Sequence, residues 1–227
     1  MEGIEGTEPR VRSRAGSVRI TEIFRSLQGE SASAGWPTVF VRLTGCPLRC
    51  DYCDSAYAFK GGRWMSVEEI LAAVEACRTR HVCVTGGEPL AQPECGTLLR
   101  ELADAGYTVS LETSGALDIE PVDPRVRIVM DLKTPASGEV ARNRWENLPH
   151  LKPDDEIKFV IGSRQDFEWA MERVRQHALD RRFQVLFSPV YGQVEPTALA
   201  DWLLETGREL RMQLQLHKQL WGEEPGR

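Results

Sequence analysis

Residues 38–53 read TVFVRLTGCPLRCDYC, and this stretch decides the assignment of the fold. Its first half, residues 38–43, is a β-branched and aromatic run, which is typical of a short buried strand. Its second half places Cys46, Cys50 and Cys53 at CxxxCxxC spacing directly after that strand. We therefore expect a strand that delivers three thiols on a loop to one end of a sheet.

A short apolar segment that resembles a strand precedes this stretch. After it, segments that resemble strands alternate with amphipathic segments that resemble helices. Ser66 and Glu69 form a capping-box pattern that predicts the start of a helix, and Gly106 predicts the end of another. The predicted strands are residues 20–24, 38–43, 81–85, 107–112, 126–132, 156–161, 183–187 and 212–216. The predicted helices are one opening at Ser66 and those at residues 97–105, 163–177 and 196–210.

Strands that alternate with helices predict an α/β fold with parallel strands. A complete eight-unit barrel takes about 250 residues, so this 227-residue chain favours a shortened, partial (βα) barrel over a complete one. Functional groups of such folds gather at the carboxyl ends of the strands. Polar residues lie at or just after the ends of several predicted strands: Thr85, Glu88, Glu112, Ser114, Asp131, Lys133 and Ser188.

Composition excludes several classes of protein. The net charge is −6, from 28 Lys and Arg against 34 Asp and Glu, which argues against a general nucleic-acid coat. No apolar run reaches the length of a membrane span, and the start has no apolar signal segment. We expect a cytoplasmic protein with a flexible tail at residues 1–16 and one catalytic domain at residues 17–227, without nucleic-acid or membrane partners.

The six cysteines divide into two groups. Three lie in the CxxxCxxC stretch, and Cys77, Cys83 and Cys95 are scattered in segments that predict packing roles. Three thiolates on one loop fit a [4Fe–4S] cluster with one iron left for a further ligand. A zinc site completed by a distant residue such as His81, or three unrelated thiols, remain open from the spacing alone.

A second motif makes the pattern specific. Residues 85–89 read TGGEP and begin at the last residue of the predicted strand 81–85. Together with the three cysteines, this resembles the radical S-adenosylmethionine (SAM) superfamily. The resemblance implies a radical-SAM-type barrel, a [4Fe–4S] cluster on Cys46, Cys50 and Cys53, and SAM chelating the open iron.

Further stretches resemble the 7-carboxy-7-deazaguanine synthase (QueE) family within that superfamily. They are FRSLQGE at residues 24–30, FVRLTGC at 40–46, LETSG at 111–115, DLK at 131–133 and QLHK at 215–218. The resemblance implies a SAM-dependent ring contraction of 6-carboxy-5,6,7,8-tetrahydropterin to 7-carboxy-7-deazaguanine with loss of ammonia, toward queuosine and related 7-deazapurines.

The resemblance also implies a set of site residues. Substrate contacts are expected from Leu27, Gln28, Gly29, Arg42 and Thr85, with Arg42 holding the substrate carboxylate. SAM contacts are expected from Gly87, Glu88, Glu112, Ser114, Asp131, Leu132, Lys133, Ser188, Pro189, Val190 and Tyr191. Ser55 matches the position at which the family binds Mg²⁺, usually with Thr, although a structural turn at Asp54-Ser55 and a solvated strand residue at Arg42 are alternatives.

Other expectations concern partners. The family implies a homodimer and an electron donor that the sequence does not identify. Members can place a terminal carboxylate on the substrate, but residues 221–227 extend past that point, so Arg227, Glu223 or Glu224 could serve, or the contact is absent. The alternative functions are a glycyl-radical-enzyme activase and a non-catalytic iron–sulfur or zinc module.

Overall fold

The computed structural model describes residues 15–222, and these build one nine-stranded sheet. Along the sheet the strands are ordered β3-β1-β2-β4-β5-β6-β7-β8-β9. Their bounds are β1 Ser17–Leu27, β2 Pro37–Leu43, β3 Arg63–Ser66, β4 His81–Gly86, β5 Thr108–Thr113, β6 Arg127–Leu132, β7 Glu156–Ile161, β8 Gln184–Pro189 and β9 Arg211–Met212.

Seven neighbouring strands, from β2 through β9 along the sheet, pair in parallel, whereas β1 pairs antiparallel with both β2 and β3 at one edge. The helices are α1 Val67–Ala76, α2 Cys95–Asp104, α3 Arg164–His177, α4 Pro196–Thr206 and α5 Leu216–Trp221. This open, mostly parallel sheet agrees with the expected partial barrel. The loops that follow the parallel strands therefore all lie at the same end of the sheet, beyond the carboxyl ends of the strands.

Local sequence signals account for the helix ends. Ser66 caps α1 by accepting from the Glu69 N–H at 3.2 Å, while the Glu69 carboxylate accepts from the Ser66 N–H at 2.7 Å, so the predicted capping box is confirmed. Ser163 caps α3 by accepting from the Asp166 N–H at 3.1 Å. Gly106 follows α2 with a φ of +85°, a conformation that glycine adopts readily.

The sheet has one apolar and one polar face. On the first strands, Val41, Val84 and Leu111 are buried in a core that includes Ile70 of α1 and Leu98 of α2. The later strands contribute a second core, packed with α3 and α4, that contains Met130, Phe159 and Phe187. Because side chains alternate along a strand, the strand residues that lie between these core residues face the inside of the partial barrel. That inner face is largely polar, and it carries Arg42, Thr85, Glu112, Asp131, Lys158 and Ser188.

Hydrogen bonds join segments that belong to the two lateral sides of the sheet. The loop after β1 reaches the segment after β9, where Ser31 and Gln213 exchange two hydrogen bonds of 2.7 Å between the Ser31 backbone and the Gln213 amide. The Leu216 N–H also donates to the Gly29 carbonyl at 3.1 Å. The loop after β1 and the segment from β9 to α5 thus connect the two sides of the sheet.

The structure differs most from the sequence predictions at three places. The last strand is present, but it is shorter than the predicted 212–216: β9 ends at Met212, and Leu216 begins α5. Helix α4 ends at Thr206 rather than residue 210, because Gly207 takes a left-handed φ of +61°. Strand β3 was not predicted, since four residues give too short a pattern.

Of the tail expected at residues 1–16, residues 1–14 lie outside the described residues, as do the C-terminal residues Glu223, Glu224 and Arg227; residues 15 and 16 form a turn before β1. Within residues 15–222, no helix is both long and apolar enough to cross a membrane.

Candidate active site

The three cysteines lie on the loop that follows β2, and all three side chains are half-buried. Backbone hydrogen bonds hold both parts of this loop: the Gly45 N–H donates to the Ala58 carbonyl at 2.8 Å, and the Asp51 N–H donates to the Ser137 carbonyl at 3.1 Å. The loop is therefore tied to its own continuation and to the segment that follows β6.

Gly87 lies directly against the cysteine loop. A Cβ at this position would lie 2.4 Å from the Gly45 carbonyl oxygen and 2.7 Å from the Cys46 Cβ. The next residue, Glu88, donates its N–H to that same Gly45 carbonyl at 2.9 Å. The second glycine of the TGGEP motif is thus required for the β4 and β2 loops to pack together.

The thiols fit an iron–sulfur cluster. Burial raises the pKa of Cys50 to about 11 and also raises the pKa of Cys46, so both are protonated until a metal displaces the proton. No three His, Cys, Asp or Glu side chains in residues 15–222 are gathered around a single-ion position. A [4Fe–4S] cluster takes each thiolate at a different iron, and the three cysteines of this loop supply three such ligands.

The zinc alternative has no support from the position of His81. Residues Thr38 and His81 are paired at the starts of β2 and β4, and Leu43 and Gly86 are paired at the ends. The five residue steps from the first pair to the second span about 16 Å along the strands. His81 therefore lies at the opposite end of the sheet from the cysteine loop, where its ring stacks on Trp36 at 5.2 Å.

Glu88 is fully buried, and donors surround its carboxylate. It accepts from the Thr113 hydroxyl at 2.9 and 3.0 Å, from the Ser114 N–H at 2.7 Å, from the Ser114 hydroxyl at 2.5 Å and from the Leu90 N–H at 3.1 Å. These bonds connect the loop after β4 to the end of β5. The carboxylate thus fixes the position of Ser114, another residue expected at the SAM site.

The other residues expected to contact SAM lie along β6 and β8. Asp131 accepts from the Lys133 ammonium at 2.7 Å, and Lys133 is held at its backbone by two 2.8 Å hydrogen bonds with the Asn143 amide. Two buried atoms, Asp131 Oδ1 and Ser188 Oγ, have no hydrogen-bond partner within residues 15–222. Buried polar atoms of this kind need a partner, and the many donors and acceptors of SAM would supply one.

The remaining members of the expected SAM set differ in what they can offer. The Leu132 side chain is fully buried in the second core, so only its backbone is available to a ligand. Val190 is also buried, Pro189 is half-buried, and Tyr191 is exposed with the Lys218 ammonium 5.0 Å from its ring centroid.

Several residues expected to contact the substrate meet on the inner face. Glu112 accepts from the Thr85 hydroxyl at 3.0 Å and from the Gln28 amide at 3.3 Å. Glu112 was expected at the SAM site, but the structure groups it with the expected substrate residues. Leu27 is the half-buried last residue of β1, and Gly29 packs so closely on His217 that a Cβ would lie 2.3 Å from Nδ1.

Arg42 lies between these residues and a pair that the sequence interpretation missed. Its Nε donates to Glu22 at 2.8 Å, and the Tyr57 hydroxyl donates to the same carboxylate oxygen at 2.7 Å. The pKa of Arg42 is raised above its ordinary value: burial alone would lower it, but Tyr57, Glu22 and Glu112 together outweigh that effect. Arg42 is therefore a fixed cation on the inner face.

A half-buried ion pair was also missed. The Lys158 ammonium of β7 lies 2.5 Å from the Glu30 carboxylate, which belongs to the loop after β1. Only the FRSLQGE stretch hinted that Glu30 lies near the site, and nothing in the sequence marked Lys158 as its partner.

Ser55 lies at the rim of the site. Its hydroxyl donates to Asp54 Oδ1 at 3.1 Å. The other oxygen of Asp54 lies 3.4 Å from the Gln215 amide nitrogen and 3.8 Å from the Lys218 ammonium. Two hard oxygen donors are thus adjacent, which suits the ligand preference of Mg²⁺.

Comparisons with known proteins agree with this geometry. The Radical SAM superfamily model matches residues 40–196. The chain is 46% identical over 222 residues to 7-carboxy-7-deazaguanine synthase of Koribacter versatilis, covering 91% of this chain and 98% of that relative. It is 44% identical over 207 residues to the enzyme of the same name from Chlorobaculum tepidum, covering 90% and 94%.

A solved structure shares the fold. The crystal structure of QueE from Escherichia coli superposes with a TM-score of 0.73 at 24% identity, covering 88% of this chain and 95% of that one. The matches extend over nearly all of the chain and include the cysteine loop and the TGGEP motif. The chain belongs to the 7-carboxy-7-deazaguanine synthase family of the radical SAM superfamily.

Proposed function

We propose that this chain is a 7-carboxy-7-deazaguanine synthase. It contracts the ring of 6-carboxy-5,6,7,8-tetrahydropterin to give 7-carboxy-7-deazaguanine with loss of ammonia, a step of queuosine and 7-deazapurine biosynthesis. The observation that carries the proposal is the position of Arg42. This cation lies on a polar inner face beside Thr85 and Glu112, on the strand that leads into the cysteine loop.

The cofactors have defined places in this proposal. Cys46, Cys50 and Cys53 hold the [4Fe–4S] cluster, and SAM lies along the strand ends that carry Asp131 and Ser188. When bound, the cluster and SAM supply an electron and a radical that removes a hydrogen atom from the substrate. The protein contributes binding, orientation and the exclusion of water.

The substrate is held by charge and hydrogen bonding. The two Nη groups of Arg42 bind the substrate carboxylate as a bidentate, charge-assisted pair. Gln28 and Thr85 present an amide and a hydroxyl to the pterin, and the Glu112 carboxylate accepts from its amino-pyrimidine N–H groups. The loop after β1, held by Gln213 at Ser31, shields the bound ring from water.

Mg²⁺ and the assembly complete the proposal. Ser55 holds Mg²⁺ at the rim, with the remaining ligands coming from water or substrate oxygens.

We extend the proposal, on the family resemblance, to a single catalytic domain at residues 17–227, a homodimer, an external electron donor and a cytoplasmic location. The net charge of −6 supports a small-molecule substrate rather than nucleic acid.

The test is an anaerobic turnover assay. Protein with a reconstituted cluster is incubated with reductant, SAM, Mg²⁺ and the tetrahydropterin, and the product is identified by mass spectrometry. We expect 7-carboxy-7-deazaguanine. If cluster and SAM cleavage are intact but no deazapurine forms, the substrate assignment is wrong, and glycyl-radical formation on a protein becomes the next assay. Zinc without SAM binding would instead favour the non-catalytic module.

A further inference from the structure

An irregularity in β1 lies beside Arg42. In the β1–β2 ladder, Ile20 pairs with Leu43 and Glu22 pairs with Arg42, so two residue steps on β1 match a single step on β2. This is a β-bulge at Thr21, whose hydroxyl lies 2.8 Å from that of Thr44. Bulges of this kind redirect a side chain and are frequent next to active sites.

The bulge changes the face on which Glu22 lies. In a regular strand, Glu22 would share a face with Ile20, which is 2% exposed within the first core. With the extra residue, Glu22 instead joins the inner face opposite Arg42. Further along, Phe24 and Phe40 are paired and stack at 5.1 Å between ring centroids, so the shifted alternation continues.

Glu22 engages only one edge of the guanidinium. Its Oε1 accepts from Arg42 Nε, and the Tyr57 hydroxyl donates to that same oxygen. The Arg42 guanidinium carbon lies 5.7 Å from the centroid of the Tyr57 ring. Within residues 15–222, the Arg42 guanidinium donates through Nε alone, so the edge with the two Nη groups is left for a ligand.

We propose that Glu22 and Tyr57 are positioning residues that hold Arg42 by its Nε edge, so that both Nη groups meet the substrate carboxylate and select carboxylated pterins. This inference rests on the proposed function, which supplies the carboxylate. The bulge at Thr21 is the structural device that brings Glu22 to Arg42. Tyr57 couples the arrangement to the segment that follows the cysteine loop.

Glu22 could act in two opposite ways, and variants distinguish them. As a simple negative charge, it would weaken binding of an anionic ligand, and its removal would tighten that binding. As a positioning residue, it fixes a long, mobile side chain, and its removal would loosen binding. Glu22→Ala removes both the acceptor and the charge, whereas Glu22→Gln keeps a neutral acceptor for Nε and for the Tyr57 hydroxyl.

The experiment measures equilibrium binding to the cluster-loaded enzyme with SAM and without reductant. The probes are 6-carboxypterin and pterin, which differ only in the carboxylate. We expect Glu22→Ala to weaken 6-carboxypterin binding about tenfold and Tyr57→Phe to weaken it about threefold, both without changing pterin binding. Glu22→Gln should stay within about threefold of the wild type. Glu75→Ala, an exposed position on α1, and Tyr107→Phe are the matched controls.

Turnover provides a second readout. Glu22→Ala should raise KM for the carboxylated substrate with little change in kcat, because a saturating substrate still reaches the same geometry. Unchanged or tighter 6-carboxypterin binding in Glu22→Ala would overturn the inference, as would an equal loss of pterin binding. A wild-type enzyme that does not distinguish the two probes would overturn the substrate assignment itself.

Discussion

The carboxylate of Glu88 accepts hydrogen bonds from both the backbone N–H and the hydroxyl of Ser114, at 2.7 and 2.5 Å. Sequence motifs alone assign Glu88 to SAM, yet its side chain is fully buried and also accepts from Thr113 and Leu90. The folded structure therefore gives this carboxylate a structural role, in which it holds the loop after β4 against the end of β5.

Glu88→Ala should lower the free energy of unfolding by about 3 kcal/mol or more, because several buried donors lose their acceptor at once. Urea unfolding of the cluster-free protein measures this, with Glu75→Ala as an exposed control. If the unfolding free energy is unchanged while SAM binding is lost, Glu88 acts on SAM directly and the fastening role is wrong.

Gly29→Ala should displace α5 from the site. A Cβ would lie 2.3 Å from His217 Nδ1, so the imidazole must move, and the hydrogen bond from Leu216 to Gly29 weakens with it. We expect faster hydrogen exchange of the α5 amides and a several-fold higher KM. Gly96→Ala is the control, since a Cβ there meets nothing within 4 Å and alanine favours the helix. Unchanged exchange in α5 would show that the contact is unimportant.

Ser55 should determine the dependence on Mg²⁺. Ser55→Thr keeps a hydroxyl oxygen and should retain the stimulation of turnover by Mg²⁺, whereas Ser55→Ala should lose most of it. Titration of metal-depleted enzyme with Mg²⁺ gives the concentration for half-maximal activity in each variant. Equal values for Ser55→Ala and the wild type would place the ion elsewhere.

The stability of the protein should depend on the protonation of His217. Its pKa is lowered because burial disfavours the charged imidazole, with Lys218 and Lys158 acting in the same direction and Glu30 and Asp54 opposing. The unfolded chain therefore binds this proton more tightly, with a pKa of about 6.5, and stability falls as the pH decreases below that value toward the folded pKa.

Urea unfolding at pH 8 and pH 5.5 measures the effect. The wild type should lose more stability between these two pH values than His217→Gln, which has no titrating ring. An identical loss in both proteins would exclude His217 as the group responsible.

Most of the strands and helices could be predicted from the sequence, because the patterns that indicate them depend on residues close together in the chain. The β-branched run at residues 38–43 and the capping box of Ser66 and Glu69 each depend on neighbours along the chain. The last strand was predicted to run on to residue 216 because the alternating sequence MQLQL at residues 212–216 matches a strand period. In the fold, Gln213 is instead drawn to the Ser31 backbone, a contact between distant segments that no local pattern reveals.

The site was predicted less completely for the same reason. Motifs indicated Arg42, Thr85 and Gln28, and alternation places Thr85 on the inner face. Glu22 was missed because the bulge at Thr21 breaks the alternation that would assign its face. Lys158 was missed because its partner, Glu30, is 128 residues away along the chain.

The central claim is that the cysteine loop and the polar inner face together form a ring-contracting enzyme. The most direct measurement is the amount of 7-carboxy-7-deazaguanine and ammonia formed in anaerobic turnover by the wild type, Cys50→Ala and Cys77→Ala. We predict equal amounts of the two products from the wild type and from Cys77→Ala, and neither from Cys50→Ala, which also loses its cluster iron. Cluster-loaded wild-type enzyme that cleaves SAM but releases no ammonia and no deazaguanine would contradict the account.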